Sequence, residues 1–148
     1  MMVREVFRFE LAYRLRQPST WVYAAVLLLV PFLMPHIVNG ASQLLNSPDA
    51  VTNISAILGG FGMLVSAGLF GDAAARDVDT RMYALFYTSP LRERDYVIGR
   101  FLAAVSINAV LLIGVPLGQL IASLMPYMDP GKFGPVRLAP YAQVYVLM

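Results

Sequence analysis

The sequence predicts an all-α, polytopic bundle of membrane-spanning helices. Hydrophobic residues make up 58% of the 148 residues, compared with roughly 45–50% in an ordinary soluble domain. Three long segments contain no Asp, Glu, Lys or Arg, and a helix needs about 20 such apolar residues to cross the hydrocarbon core of a bilayer. We therefore expect the helices to be solvated by lipid and not to enclose a single water-excluding core.

The predicted spans are residues 20–38, 51–71 and 101–125, and a fourth apolar run starts at about residue 141. That last run, YAQVYVLM, ends after eight residues, which is too short for a membrane crossing at about 1.5 Å rise per residue. We therefore expect the chain to be the truncated front part of a longer protein.

Proline and glycine interrupt two of these spans. Pro31 and Pro35 lie near the end of the first span, where a proline kinks or ends a helix. Gly114, Pro116 and Gly118 lie in the middle of the third span. In a membrane, the carbonyls that such residues free need partners from neighbouring helices.

The basic residues predict the orientation. Nine Lys or Arg residues precede the first span or lie between the second and third, whereas the other two loops hold only Lys132 and Arg137. Cytoplasmic loops carry the excess of positive charge. We expect a multi-pass protein of the bacterial inner membrane, with the N-terminus and the loop 72–100 in the cytoplasm.

The N-terminal segment 2–16 predicts an interfacial amphipathic helix. On a helical wheel the segment has an apolar side and a charged side. The apolar side comprises Met2, Val6, Phe9 and Tyr13. The charged side comprises Arg4, Glu5, Arg8 and Arg16. Such a helix lies in the headgroup plane with its arginines toward water and anionic lipid. A simple topology anchor and a docking surface for a partner both agree with this pattern. The first span is too long for the core of a cleaved signal peptide.

The loop 72–100 predicts a helical elbow at the membrane surface. Its first part, 73–87, has the composition of a helix, a second helix occupies 91–99, and Ser89-Pro90 joins them. Met82, Leu85 and Phe86 form an apolar patch at helical spacing. A solvated connector is the simplest interpretation, but an exposed apolar patch on a cytoplasmic elbow favours a partner surface.

Three polar residues lie at membrane depth in the third span: Ser106, Asn108 and Gln119. Polar residues at this depth face the protein interior or a cavity. They are therefore candidates for lining a translocation path, and hydrogen bonding between helices explains them equally well.

The sequence carries no catalytic motif. It has no Walker A pattern, no cysteine and one histidine, His36, so neither nucleotide hydrolysis nor a zinc site of three or four ligands is expected of it. A formal charge of +2 gives no reason to expect nucleic acid as a partner. We expect a protein that is not an enzyme and that binds no metal or cofactor itself.

The order of parts, with the elbow RDVDTRMYALFYTSPLRERDYVIGRF, resembles the membrane subunit of an ATP-binding-cassette exporter of the type-2 permease family. The resemblance implies that the elbow contains the coupling helix that docks on a separate ATPase subunit. It would assign this role to Asp77, Asp79, Arg81, Met82, Leu85, Phe86, Arg92 and Arg94. It also implies a second permease half, and that the ATPase subunit, not this chain, binds ATP and Mg²⁺.

A narrower likeness rests on FRFELAYRLRQPSTWVY, LFYTSPLRERDYVIGRF and GVPLGQLIASLMPYMDPGKFGPVRLAPY. These segments are similar to bacterial proteins that join such a permease to a C-terminal zinc aminopeptidase-like domain, which would lie beyond Met148. This likeness keeps open an alternative function, a membrane anchor or scaffold for that domain without transport. A non-transporting sensor or assembly factor is a third interpretation.

Overall fold

The computed structural model describes residues 2–37, 44–79, 92–125 and 131–148. Every regular element in those residues is an α-helix, which confirms that the fold is all-α; the interfacial position of α1 and the elbow stay predictions. The helices are α1 (Met2–Arg16), α2 (Pro18–Ile37), α3 (Pro48–Asp79), α4 (Glu93–Leu112), α5 (Gly114–Ser123) and α6 (Leu138–Leu147). Three stretches are long and apolar enough to cross a membrane: Pro18–Pro35, Pro48–Gly71 and Glu93–Ser123.

The predicted boundaries around the elbow differ from the observed ones. The second span and the first residues of the predicted elbow helix form one helix, α3, which continues to Asp79. The alanines at 73–75 have the highest helix propensity, so the sequence gives the helix no reason to stop at the end of its apolar part. The part of the predicted helix 91–99 that starts at Glu93 is likewise continuous with the third span in α4. The centre of the elbow, 80–91, lies outside the described residues.

The third span is divided at Ile113, where α4 ends and α5 begins. Pro116 has no backbone N–H with which to bond the carbonyl of Leu112, and Gly114 has a low helix propensity. The interruption predicted from these residues is thus confirmed. By contrast, α2 continues through Pro31 and Pro35 as far as Ile37, the last described residue of this stretch.

The chain divides into two compact units, and α2, α3 and α4 each contribute residues to both. The first unit comprises Met1–Trp21 and Leu64–Val110, and the second comprises Val22–Met63 and Leu111–Met148.

In the second unit, α5 and α6 pack against each other. Val51, Tyr141 and Val144 form a buried cluster, with Leu120 and Met148 packed against it. Helix α6 begins three residues earlier than the predicted fourth apolar run.

The segment before α3 and the segment before α6 are hydrogen bonded to each other. The Asn46 side chain forms a pair of bonds with Gly134, in which Nδ2 donates to the carbonyl and Oδ1 accepts from the backbone N–H, each at 2.7 Å. The Leu45 N–H also donates to the Lys132 carbonyl at 2.9 Å. Ser47 caps α3 by accepting from the Ala50 N–H at 3.2 Å. These two segments therefore lie together.

Candidate functional site

The most unusual feature of the first unit is a group of buried charges at the inner side of α1. Glu10, Arg14 and Arg100 have relative exposures of 1%, 0% and 6%. We call these three residues the ionic cluster. Asp, Glu and Arg are almost never fully buried unless they are paired, and ionisable residues beside or within membrane spans mark functional sites by default. The ionic cluster is therefore the candidate functional site.

Glu10 lies between the two guanidinium groups. Its Oε1 is 3.4 Å from Arg100 Nε, and its Oε2 is 4.0 Å from Arg14 Nε. Arg14 Nη1 donates to the carbonyl of Leu69 at 3.1 Å. Through these contacts α1 is bonded to α3 by Arg14 and to α4 by Glu10.

Tyr96 completes the environment of Arg100 from one turn earlier on α4. Arg100 Nη1 donates to the Tyr96 hydroxyl at 2.7 Å, and the guanidinium carbon lies 5.1 Å from the centre of the same ring. An arginine at this distance from an aromatic ring gains a cation–π attraction. Arg100 is thus held by a carboxylate, a hydroxyl and a ring.

The residues on either side of Arg100 explain why α1 fits here. A Cβ atom on Gly99 would lie 2.9 Å from the side chain of Val6 and 3.0 Å from the backbone oxygen of Val3, so α1 approaches α4 more closely than any other residue would allow. On the other side, Phe101 contacts Phe70 of α3 with ring centres 5.9 Å apart. The sequence Gly99-Arg100-Phe101 therefore joins α4 to α1 and to α3.

The structure places the sequence-predicted elbow residues only in part. Asp77 and Asp79 lie on the last turns of α3, and Arg92 and Arg94 are exposed at the start of α4. Arg81, Met82, Leu85 and Phe86 fall outside the described residues. The elbow assignment accordingly stays a prediction.

Each candidate for the translocation path has a hydrogen bond within the protein. Ser106 Oγ donates to the Leu102 carbonyl of its own helix at 2.8 Å, and Asn108 Oδ1 accepts from Ser66 Oγ of α3 at 2.8 Å. Gln119 is buried, and its Nε2 donates to Ser55 Oγ at 2.8 Å. Asn108 and Gln119 therefore join α3 to the third span, which is the interhelical role that the sequence left open.

Glycine allows an equally close approach in the second unit. A Cβ atom on Gly118 would collide with the carbonyl oxygen of Leu28, and one on Gly114 would lie 3.3 Å from the backbone of Leu27. The two glycines are four residues apart, which is the small-x-x-x-small spacing of membrane helix interfaces. We call this contact of α5 with α2 the glycine seam. Pro31 has no N–H with which to bond the carbonyl of Leu27, and Gly114 of the glycine seam packs against that carbonyl.

Sequence reasoning missed the ionic cluster. The side of α1 that is buried lies between the predicted apolar side and the predicted charged side. Phe9 and Tyr13 of the apolar side are exposed, whereas Glu10 and Arg14 are buried. A signal was present, because Glu10 and Arg14 are four residues apart and so lie on one face of the helix. The glycine seam had a signal too, in the spacing of Gly114 and Gly118.

Within the described ranges, no group of three or more His, Cys, Asp or Glu side chains is placed to hold a metal ion. The helices and their apolar lengths define a membrane protein with three candidate spans. No family model, no curated protein and no solved structure matches the chain.

Proposed function

We propose that the chain is the permease part of an ATP-driven transporter whose cytoplasmic elbow receives force from a separate ATPase subunit. The observation that carries this proposal is the ionic cluster. It bonds α1 to Leu69 near the end of the second span and to Arg100 near the start of the third. These two helices are the ones that flank the elbow.

A coupling element must pass displacement on without being deformed. Removing one partner of a buried ion pair costs about 3–5 kcal/mol, because the other charge is left uncompensated in a medium of low polarity. Glu10 and Arg14 therefore resist separation from α3 and α4. A push on the elbow would move α1 and the adjoining ends of α3 and α4 together, and such rigid-body motion is a common form of switching transition.

The exposed arginines at the start of α4 support a docking role. Arg92 and Arg94 are exposed next to the elbow, where charge complementarity with an ATPase would fix the register of docking. The apolar residues Leu85 and Phe86 would supply the packing contact. Substrate would pass between this chain and a second permease half, with ATP and Mg²⁺ bound by the ATPase. In this proposal the N-terminus and elbow lie in the cytoplasm of a bacterium, at its inner membrane.

The test is co-purification of the full-length protein with a Walker A ATPase encoded beside it. We expect the double substitution Leu85→Asp and Phe86→Asp to abolish ATPase association and ATP-dependent transport. The matched control is Val136→Asp with Leu138→Asp, which changes two exposed apolar residues in a predicted external segment. The control should retain both activities.

Two results would overturn the proposal. Retained association in the Leu85 and Phe86 variant would remove the elbow as the coupling element. A wild-type protein that binds no ATPase, but carries an active peptidase domain, would favour the membrane anchor instead.

A further inference from the structure

The side of α1 that faces away from the ionic cluster combines exposed cations with exposed aromatic rings. Arg4, Arg8 and Arg16 are exposed along it together with one carboxylate, Glu5, so the positive charges outnumber the negative one by three to one. Phe9, at 68% relative exposure, and Tyr13, at 40%, lie one turn apart on the same helix. On a helix, residues three and four apart are neighbours, so Tyr13 lies next to Arg16 as well as Phe9.

Trp21 extends this surface onto the first turn of α2. The residue is 62% exposed, and its Nε1 donates to the carbonyl of Leu15 at 2.8 Å. The indole therefore bridges the joint between α1 and α2 with its N–H satisfied. Tryptophan with an apolar body and a bonded polar end is typical of the membrane–water interface.

The position of α1 restricts what can cover it. Only Gln17 separates α1 from α2, whose apolar stretch begins at Pro18, so the end of α1 lies at the edge of the bilayer. The ionic cluster and Gly99 fasten its inner side to α3 and α4. The aromatic rings must then meet the acyl boundary, where arginines can extend their charged ends toward the phosphates.

We propose that the exposed side of α1, with Trp21, is a docking surface for anionic phospholipid headgroups such as phosphatidylglycerol. Guanidinium groups bind phosphate oxygens in a bidentate manner, and each basic residue near an anionic surface adds to the attraction. The proposal does not depend on transport, since a membrane anchor would carry the same surface.

Trp21 is the single tryptophan of the chain, so its fluorescence reports the lipids beside α1. The full chain is reconstituted in nanodiscs that contain either brominated phosphatidylglycerol or brominated phosphatidylcholine at equal mole fraction, since bromine quenches indole fluorescence. We expect stronger quenching by the brominated phosphatidylglycerol, corresponding to a ~2-fold local enrichment of the anionic lipid beside Trp21. Equal quenching by the two lipids would overturn the proposal.

Two charge-matched variants locate the effect. Arg8→Gln with Arg16→Gln should remove most of the excess, whereas Lys132→Gln with Arg137→Gln should leave it unchanged, although it removes the same number of exposed cations. Arg8→Lys with Arg16→Lys should keep most of it. An excess that persists in the glutamine variant of α1, or disappears equally in the control, contradicts the proposal.

A salt titration of the wild-type protein tests the proposal without any substitution. The Debye length falls from about 8 Å at physiological ionic strength to about 3 Å at 1 M. The excess quenching by phosphatidylglycerol should therefore disappear in 1 M NaCl, while quenching by phosphatidylcholine stays constant. An excess that survives 1 M NaCl would show that charge does not recruit the lipid.

Discussion

Different chemistry stabilises the helix packing inside each of the two compact units. In the first, α1 is fastened by buried charges, with Glu10 between Arg14 and Arg100. In the second, α2 and α5 meet backbone to backbone at Gly114 and Gly118, without a charged residue. Loss of one partner from a buried group of charges leaves the others uncompensated. The glycine seam, in contrast, requires only that no side-chain atom separates the two backbones. The first unit should therefore be sensitive to loss of charge, and the second to added volume.

The largest effect is expected for Glu10→Gln in the first unit. It leaves two guanidinium groups buried without the carboxylate between them, which should destabilise the unit by about 3–5 kcal/mol. Unfolding in nanodiscs or in SDS, followed by Trp21 fluorescence, measures the change. Glu5→Gln on the exposed side of the same helix is the control and should change stability little.

A second substitution at the ionic cluster sharpens this result. If charge is the reason, the double variant Glu10→Gln with Arg100→Gln should lose less stability than the sum of the losses in the two single variants. The second substitution removes the Arg100 guanidinium that Glu10→Gln leaves without its carboxylate. Strict additivity of the two effects would contradict an interaction between these residues.

The next effect is expected at the glycine seam with Gly118→Ala. Its Cβ atom would collide with the carbonyl oxygen of Leu28, which is backbone and cannot move independently. We expect a loss of about 2–3 kcal/mol, near the upper end of the range for overpacking. Gly60→Ala is the matched control in the same unit, because nothing lies within 4 Å of its Cβ position. Helix propensity should make that control neutral or stabilising by up to about 1 kcal/mol.

A smaller loss is expected for Gly99→Ala in the first unit. The added Cβ meets the Cβ of Val6 and the backbone oxygen of Val3, which move only with α1, but the overlap is smaller than at Gly118, so a shift of α1 by a few tenths of an ångström relieves it. We expect a loss of about 1–2 kcal/mol and a change in Trp21 fluorescence as α1 moves. Gly71→Ala, whose Cβ position is open, provides the comparison. A neutral Gly99 variant would mean that α1 does not pack against α4 as described.

The smallest effect is expected for Gln119→Leu. It removes the hydrogen bond to Ser55, and such bonds between membrane helices contribute about 0.6 kcal/mol on average. It also removes the buried Oε1, which has no hydrogen-bond partner in the described structure, and this offsets part of the loss. Stability measured by SDS unfolding should change by less than ~1 kcal/mol. If transport of the full-length protein falls while stability is kept, Gln119 contributes to the translocation path.

The membrane class and the approximate spans can be read from the amino-acid sequence alone. Apolar length is a local property, since a segment such as 51–71 carries its own requirement for lipid whatever surrounds it. The interruption of the third span was equally readable, because Gly114 and Pro116 act on their own turn of helix. The continuity of α3 to Asp79 does not follow from apolar length, because a helix can extend beyond the end of its apolar segment.

The contacts between residues of different helices become visible only in the folded protein. The first span and most of the second separate Arg14 from Leu69, and both spans separate Glu10 from Arg100, so no local pattern pairs them. Helical spacing puts Glu10 and Arg14 on one face, but it does not say whether that face meets water or protein. Gly118 likewise allows close packing without naming Leu28 as the partner. Burial and pairing depend on several helices at once, and for that reason the ionic cluster and the glycine seam required the fold.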